Sequence, residues 1–134
     1  MTNAEVLIVE ALNKRADFYM LKPPGETAGI QAFMEVPENR PRRFVTVERT
    51  SGGEINLVDR PVLAVQFWAE SRYQASEGAR LLAHILQDLP ASVPELGRCK
   101  VESIYNFPDD RQPRYQLTVA ASTVRGASTP SPTP

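Results

Sequence analysis

Few side chains in this sequence are placed to do chemistry. His84 is the one histidine and Cys99 the one cysteine. Nucleophilic catalysis needs a nucleophile, a base and an orienting group. These two residues fall on different elements, His84 mid-helix between leucine-rich rows and Cys99 at the start of a strand. The reading is a core-rim or interface contact for His84 and a small buried hydrophobe for Cys99. Neither C-x-x-C nor H-x-x-x-H spacing occurs, and one His with one Cys does not complete a tetrahedral zinc set. No metal and no cofactor are expected. Gly52-Gly53 follows a strand but opens neither a helix nor a G-x-x-x-x-G-K-[ST] run, so it reads as a turn needing positive φ rather than a phosphate loop. Asp109-Asp110 sits at a predicted hairpin tip; solvation is the plain reading and a cation the alternative. Glu77, Glu95 and Glu102 have no partner at a spacing suited to acid–base work. No enzymatic role is expected.

The charged feature that stands out is Arg40-Pro41-Arg42-Arg43. Two readings stand side by side. The cluster contacts nucleic-acid phosphate or an acidic neighbour, or it pairs with Glu35, Glu38 and Glu48 and keeps an edge strand soluble. Trp68 and Tyr73 flank the start of a helix, where an aromatic can anchor an interface; for Trp68 the expectation is core packing.

These residues must be held by one domain. The chain has 134 residues, 15 Lys+Arg against 16 Asp+Glu, a net charge of −1 and 42% hydrophobic residues. That length suits a single core, and the charge balance gives no global basic field for coating nucleic acid. One cysteine excludes an internal disulfide and suits a reducing compartment. Residues 1–15 carry Glu5 and Glu10 among their apolar positions, unlike a secretion signal, and no apolar run reaches membrane-spanning length.

Thr2 or Asn3 can cap a first helix, with Ala4, Leu7, Ile8 and Ala11 as its buried stripe. Pro23-Pro24-Gly25 opens an irregular stretch in which residues 30–36 are a candidate short strand. Period-two alternation starts at Phe44, and Ser51-Gly52-Gly53 reads as a turn. Residues 62–69 are apolar on both faces apart from Gln66, the mark of a central strand. Residues 52–60 then form a loop in which Ile55, Leu57 and Val58 need cover of their own. Ser71 and Gln74 have capping-box spacing, and Ala75, Ala79, Leu82, Leu86 and Leu89 form a seam that Pro90 ends. Leu81 and Ile85 make a second row, for which a neighbouring subunit is one candidate cover. Cys99, Val101, Ser103, Tyr105 and Phe107 alternate along one strand, and Tyr115, Leu117, Val119 and Ala121 along its hairpin partner. The sum is an α+β two-layer sandwich over residues 1–124: about four strands in a largely antiparallel or mixed sheet, with two helices on one face. Residues 125–134 read as a disordered Pro/Ser/Thr-rich tail.

The stretch Val36-Pro37-Glu38-Asn39-Arg40-Pro41-Arg42-Arg43-Phe44-Val45-Thr46-Val47-Glu48-Arg49-Thr50-Ser51-Gly52-Gly53 resembles the V-P-x-x-R-P-x-x-F-V-x-V-x-R-x-x-G-G segment of tail terminator proteins from long-tailed (siphovirus-type) bacteriophages. Asp59-Arg60-Pro61, Val65-Gln66-Phe67-Trp68-Ala69, Ser71, Ala75, Leu82, Tyr105, Pro108-Asp109 and Arg114-Tyr115 are similar to the same family. The resemblance covers about residues 1–124 and rests on loops and strand edges rather than a catalytic signature. It implies a small α+β virion subunit, made in the host cytoplasm, that forms a homohexameric ring on the end of the tail tube. The implied partners are other copies of itself, the tail tube protein and the head-side connector or stopper protein, with non-specific DNA contact in the channel and no membrane. A ring needs two different complementary surfaces on each subunit. The candidate contacts are the 17–41 and 52–60 segments, with Arg40, Arg42, Arg43, Gly52, Gly53, Arg60 and Tyr73 as the residues. Two rivals remain: another head–tail joining or tail-completion subunit, and a small cytoplasmic α+β enzyme or ligand-binding module.

Overall fold

The computed structural model describes residues 3–124; the expected tail at 125–134 and the Thr2 cap lie outside the described residues. Helix α1 spans Ala4–Asn13. Asn3 caps it, its Oδ1 accepting from the Glu5 and Val6 N–H groups at 3.0 and 3.3 Å. Its buried line is Ala4, Ile8 and Leu12, with Leu7 and Ala11 half-buried at the side, so the stripe is rotated slightly from the expected one. A one-turn helix α2, Ala16–Tyr19, follows and buries Phe18.

Five strands form one mixed sheet: β1 Ala32–Phe33, β2 Phe44–Ile55, β3 Val58–Trp68, β4 Leu96–Asn106 and β5 Arg114–Val124, in the order β1-β2-β3-β5-β4. The long helix α3, Arg72–Asp88, lies between β3 and β4 in sequence and packs with α1 against one sheet face. The α+β reading therefore holds, with one strand more than expected. That extra strand is only two residues of the proposed 30–36, parallel to β2. On its outer side Asn13 takes the place of a further strand, its Nδ2 donating to the Ala32 carbonyl (3.1 Å) and its Oδ1 accepting from the Ala32 N–H (2.8 Å).

The α3 seam is as expected. Ser71 Oγ accepts from the Gln74 N–H at 3.1 Å, and Ala75, Ala79, Leu82, Leu86 and Leu89 are all buried. Ile85 is buried too, whereas Leu81 stays uncovered. Gly78 was not anticipated: a Cβ there would lie 2.2 Å from the Phe67 ring, so the missing side chain lets the helix rest on β3. β3 is central, with Leu63, Val65 and Phe67 facing the helices.

Two expectations about the sheet are overturned. Residues 52–60 are not a loop, because β2 and β3 continue to Ile55 and Val58 and turn on Asn56 and Leu57 alone, both at positive φ (52° and 67°). Ser51-Gly52-Gly53 is consequently strand rather than turn. The register shifts between Arg49 and Ser51, and Gly52 sits at φ 101°, with its α-carbon so near β3 that a Cβ would stand 2.1 Å from the Arg60 carbonyl oxygen. The positive φ read for the glycine pair holds for Gly52, as a bulge residue. On β4 a second shift between Val101 and Ser103 moves every later side chain to the other face. Cys99 and Val101 point toward the helices, while Tyr105 and Phe107 join the face without helices. Among the described residues, no helix is long and apolar enough to cross a membrane.

Candidate functional site

The residues singled out from sequence fall into two groups at opposite ends of the sheet. Arg60 pairs with Gly53 near the β2–β3 turn, and Trp68 pairs with Phe44 at the other end of the same strands. Eight residue steps along β3 separate them, about 26 Å at the usual strand rise.

The Trp68 end holds the arginines. Their partners lie within the chain, but they are not the local glutamates. Arg43 forks onto Glu70 with both bonds at 2.8 Å and donates to the Leu21 and Lys22 carbonyls at 3.1 and 3.3 Å. Its side chain is only 10% exposed. It therefore clamps the segment after α2 to the start of α3, and most of its donors are used. Hydrogen bonds from Arg43, with the nearby Arg42 charge, hold the Glu70 carboxyl below its usual range. Arg40 pairs with Asp109 at 3.3 Å and lies over the Trp68 ring, 5.1 Å from its centroid. The Arg111 N–H and then Arg40 keep Asp109 ionised to lower pH than usual. Arg42 is different. It is 54% exposed, and its contacts to Glu26 and Glu70 are long, at 3.4 and 3.5 Å. Exposed pairs of that kind contribute about 0–1 kcal/mol, so of the three arginines Arg42 is the one whose guanidinium remains disposable toward a phosphate or an external carboxylate.

Sequence reading missed what Arg40 joins. Arg114 also lies over Trp68 (4.8 Å) and over Phe107 (4.5 Å), and Phe44 stacks on Trp68 at 5.1 Å. A directed hydrogen-bond chain leads away from this cluster across four strands. Trp68 Nε1 donates to Thr46 Oγ1 at 3.0 Å, Thr46 to Gln66 Oε1 at 3.0 Å, Gln66 Nε2 to Gln116 Oε1 at 2.8 Å, and Gln116 Nε2 to the Tyr105 hydroxyl. Each member satisfies the next, so this row is held rigid, buried at Trp68 and Thr46 and open to solvent at Tyr105. The only sequence signal was Gln66, polar in an otherwise apolar strand. Tyr73, in the first turn of α3, is 69% exposed and lies apart from this row.

No family model matches the chain, and no curated protein matches it at a significant level.

At the other end, Arg60 and Gly53 are exposed and Gly52 is occupied with the bulge. The base of the hairpin is fixed by Arg49, which forks onto buried Asp59 at 2.6 and 2.7 Å while its N–H donates to Glu5 at 2.9 Å. Hydrogen bonding from Arg49 keeps the Asp59 carboxyl below its usual range. Beyond that clamp Ile55 and Leu57 are 63% and 60% exposed. The cover they were expected to need is not supplied by the described residues. Leu57 is notable because a left-handed conformation costs a bulky residue about 1–2 kcal/mol, where Gly is usual after Asn in such a turn. Neither the turn nor the core explains a leucine there. His84 and Cys99 are far from forming a pair: His84 is exposed on α3 and Cys99 is buried in β4. Among the described residues, no three His, Cys, Asp or Glu side chains gather as a metal site.

Proposed function

We propose that the chain is a structural subunit of a long-tailed bacteriophage, one of six in a ring that caps the tail tube at the tail–neck junction of the virion, stops tube polymerisation and joins the tail to the head-side connector. The role is structural rather than enzymatic. Its support in sequence is the resemblance across residues 36–53 and the closing hairpin. The single observation that carries it is the division of one small sheet into two unlike ends. One end presents Arg42, Tyr105 and Phe107 around a tied arginine cluster, and the other a clamped hairpin tipped by Ile55 and Leu57. A subunit stacked between a tube below and a connector above needs two such axial surfaces, chemically different from each other. Arg42 is the residue suited to DNA in the channel. A joining subunit elsewhere in the neck is the second reading, favoured by the same two-ended surface.

The test is tube length. Purified tail tube protein is polymerised with and without this chain, and lengths are measured by negative-stain microscopy. The expected result is arrested tubes carrying a six-fold ring at one end. Unchanged length distributions with bare tube ends would overturn the proposal.

A further inference from the structure

The sheet face without helices differs between its two halves. Toward Trp68 it is filled, with Phe44, Trp68 and Thr46 buried. Toward the β2–β3 hairpin it is open. Register puts Gly53, Arg60, Ser122 and Arg98 in one row across the four long strands, and Ser51, Val62, Ala120 and Lys100 in the next. These eight positions hold three cations and no acid. Arg60, Arg98 and Lys100 are all exposed, and their side chains make no ion pair or hydrogen bond with the described residues. By contrast Arg15, Arg40, Arg42, Arg43, Arg49 and Arg80 each have a carboxylate partner. Arg60 and Arg98 line one cleft of about 410 Å³, with Val62, Ala120 and Ser122 between them. Glu102 is the one acid on that lining, and it stands at the β4 bulge on the sheet margin. Glu48, also on this face, lies a row nearer Trp68, level with Thr118 and Ser103.

We infer that this half of the face seats the phosphodiester backbone of double-stranded DNA, with Arg60 and Arg98 on either side of Ser122 and Lys100 one row on. The inference goes beyond the ring reading. It is a property of the single chain, so the two can fail separately. Three observations select the occupant. The cations occupy a patch about 10 Å across the strands and about 7 Å along them. A duplex carries one negative charge per roughly 1.7 Å of its axis, dense enough to meet all three cations at once. Second, Ser51 and Ser122 bring hydroxyls among the cations, and Thr118 and Ser103 bring more in the next row. Arginine, lysine, serine and threonine are the side chains that take phosphate oxygens. Third, a protein cover needs large aromatic or apolar anchors, whereas Val62 is the largest apolar side chain in these three rows. Contacts of this kind read no base edges, so the binding is independent of DNA sequence.

Salt dependence tests this. The full chain is titrated into a fluorescently labelled DNA duplex and binding is read by anisotropy. Three neutralised phosphates give a slope of log K against log salt of about −2.7, so affinity should fall about 40-fold between about 50 and 200 mM salt. The triple variant Arg60→Gln, Arg98→Gln and Lys100→Gln should lose that slope and bind at least about tenfold more weakly at the lower salt. All three sites are exposed, so the fold has no stake in them. A charge-keeping triple, Arg60→Lys, Arg98→Lys and Lys100→Arg, should bind as wild type does. So should Lys14→Gln with Arg80→Gln, two exposed cations of the helical layer. Equal binding by wild type and the glutamine triple would overturn the assignment, as would a wild type that does not bind at about 50 mM salt. A charge-keeping triple that fails beside the glutamine triple would overturn it as well. Displacement of the duplex by inorganic phosphate at matched ionic strength would make the cleft a small-anion site and sink the duplex reading. None of these outcomes bears on the ring, which the tube-length measurement decides.

Discussion

Gly78→Ala sets two effects of known size against each other. Alanine is favoured over glycine inside a helix by about 1 kcal/mol, so on an exposed face the change would stabilise. At this position the new Cβ would lie 2.2, 2.3 and 2.6 Å from three atoms of the Phe67 ring. Ordinary contact begins at 3.4 Å, so the ring must retreat by about 1.2 Å. Phe67 is 1% exposed and sits in the central strand with packed neighbours on both sides, which leaves it nowhere to go. Overpacking of that kind costs about 1–3 kcal/mol. The upper end applies because the obstacle is a rigid ring held by core neighbours. The expected net loss is about 2 kcal/mol. With an unfolding entropy of about 0.28 kcal/mol/K for a chain this long, that is a fall in Tm of about 7 °C. Fluorescence of Trp68, the one tryptophan, follows the unfolding from the adjacent position. Phe67→Leu supplies the second arm. Alone it is destabilising, but combined with Gly78→Ala it should recover at least about 1 kcal/mol relative to additivity, as contacting residues do. A Tm at or above that of the parent, or a strictly additive double variant, would refute the close approach of α3 to β3.

Acid should loosen the two clamps. Asp59 and Glu70 have folded-state pKa values below their ordinary ones, so the unfolded chain binds more protons as pH falls through about 4. Their contribution is complete above that range and is lost on acidification below it. Asp59→Asn should cost about 2 kcal/mol at pH 7 and flatten the acid limb of Tm against pH, and an unchanged limb would count against the Arg49 fork. Burial pushes the Cys99 thiol up to about 12, so a disulfide reagent at pH 8 should label the native chain only at its unfolding rate and the urea-unfolded chain at once; immediate native labelling would contradict the packing of β4.

Much of the architecture was legible because its signal was local and periodic. The α3 seam from Ala75 to Leu89 is a spacing of threes and fours, and the two-sided burial of β3 is a plain run of apolar residues. What escaped were features set by single residues acting out of type. Gly52-Gly53 has the chemistry of a turn, yet the bulge uses it, and the true turn at Asn56-Leu57 places leucine where no propensity favours it. The bulge between Val101 and Ser103 breaks the alternation without any glycine or proline to announce it, so Tyr105 and Phe107 were assigned to the wrong face.

The arginine cluster escaped for a different reason. Glu35, Glu38 and Glu48 are near in sequence, but the partners of Arg40, Arg42 and Arg43 are Glu26, Glu70 and Asp109, brought in by the segment after α2, the start of α3 and the β4–β5 turn. Charge pairing of that range follows topology, and topology was the least local part of the fold. The same dependence gives the site its logic. Arg43 and Arg40 are occupied because three segments had to be tied beside Trp68, and the exposed Arg42 is the one left to face outward. A triple charge reversal of this cluster would therefore break the fold at Arg43 before it reported on any partner. Arg42→Glu alone reads the contact.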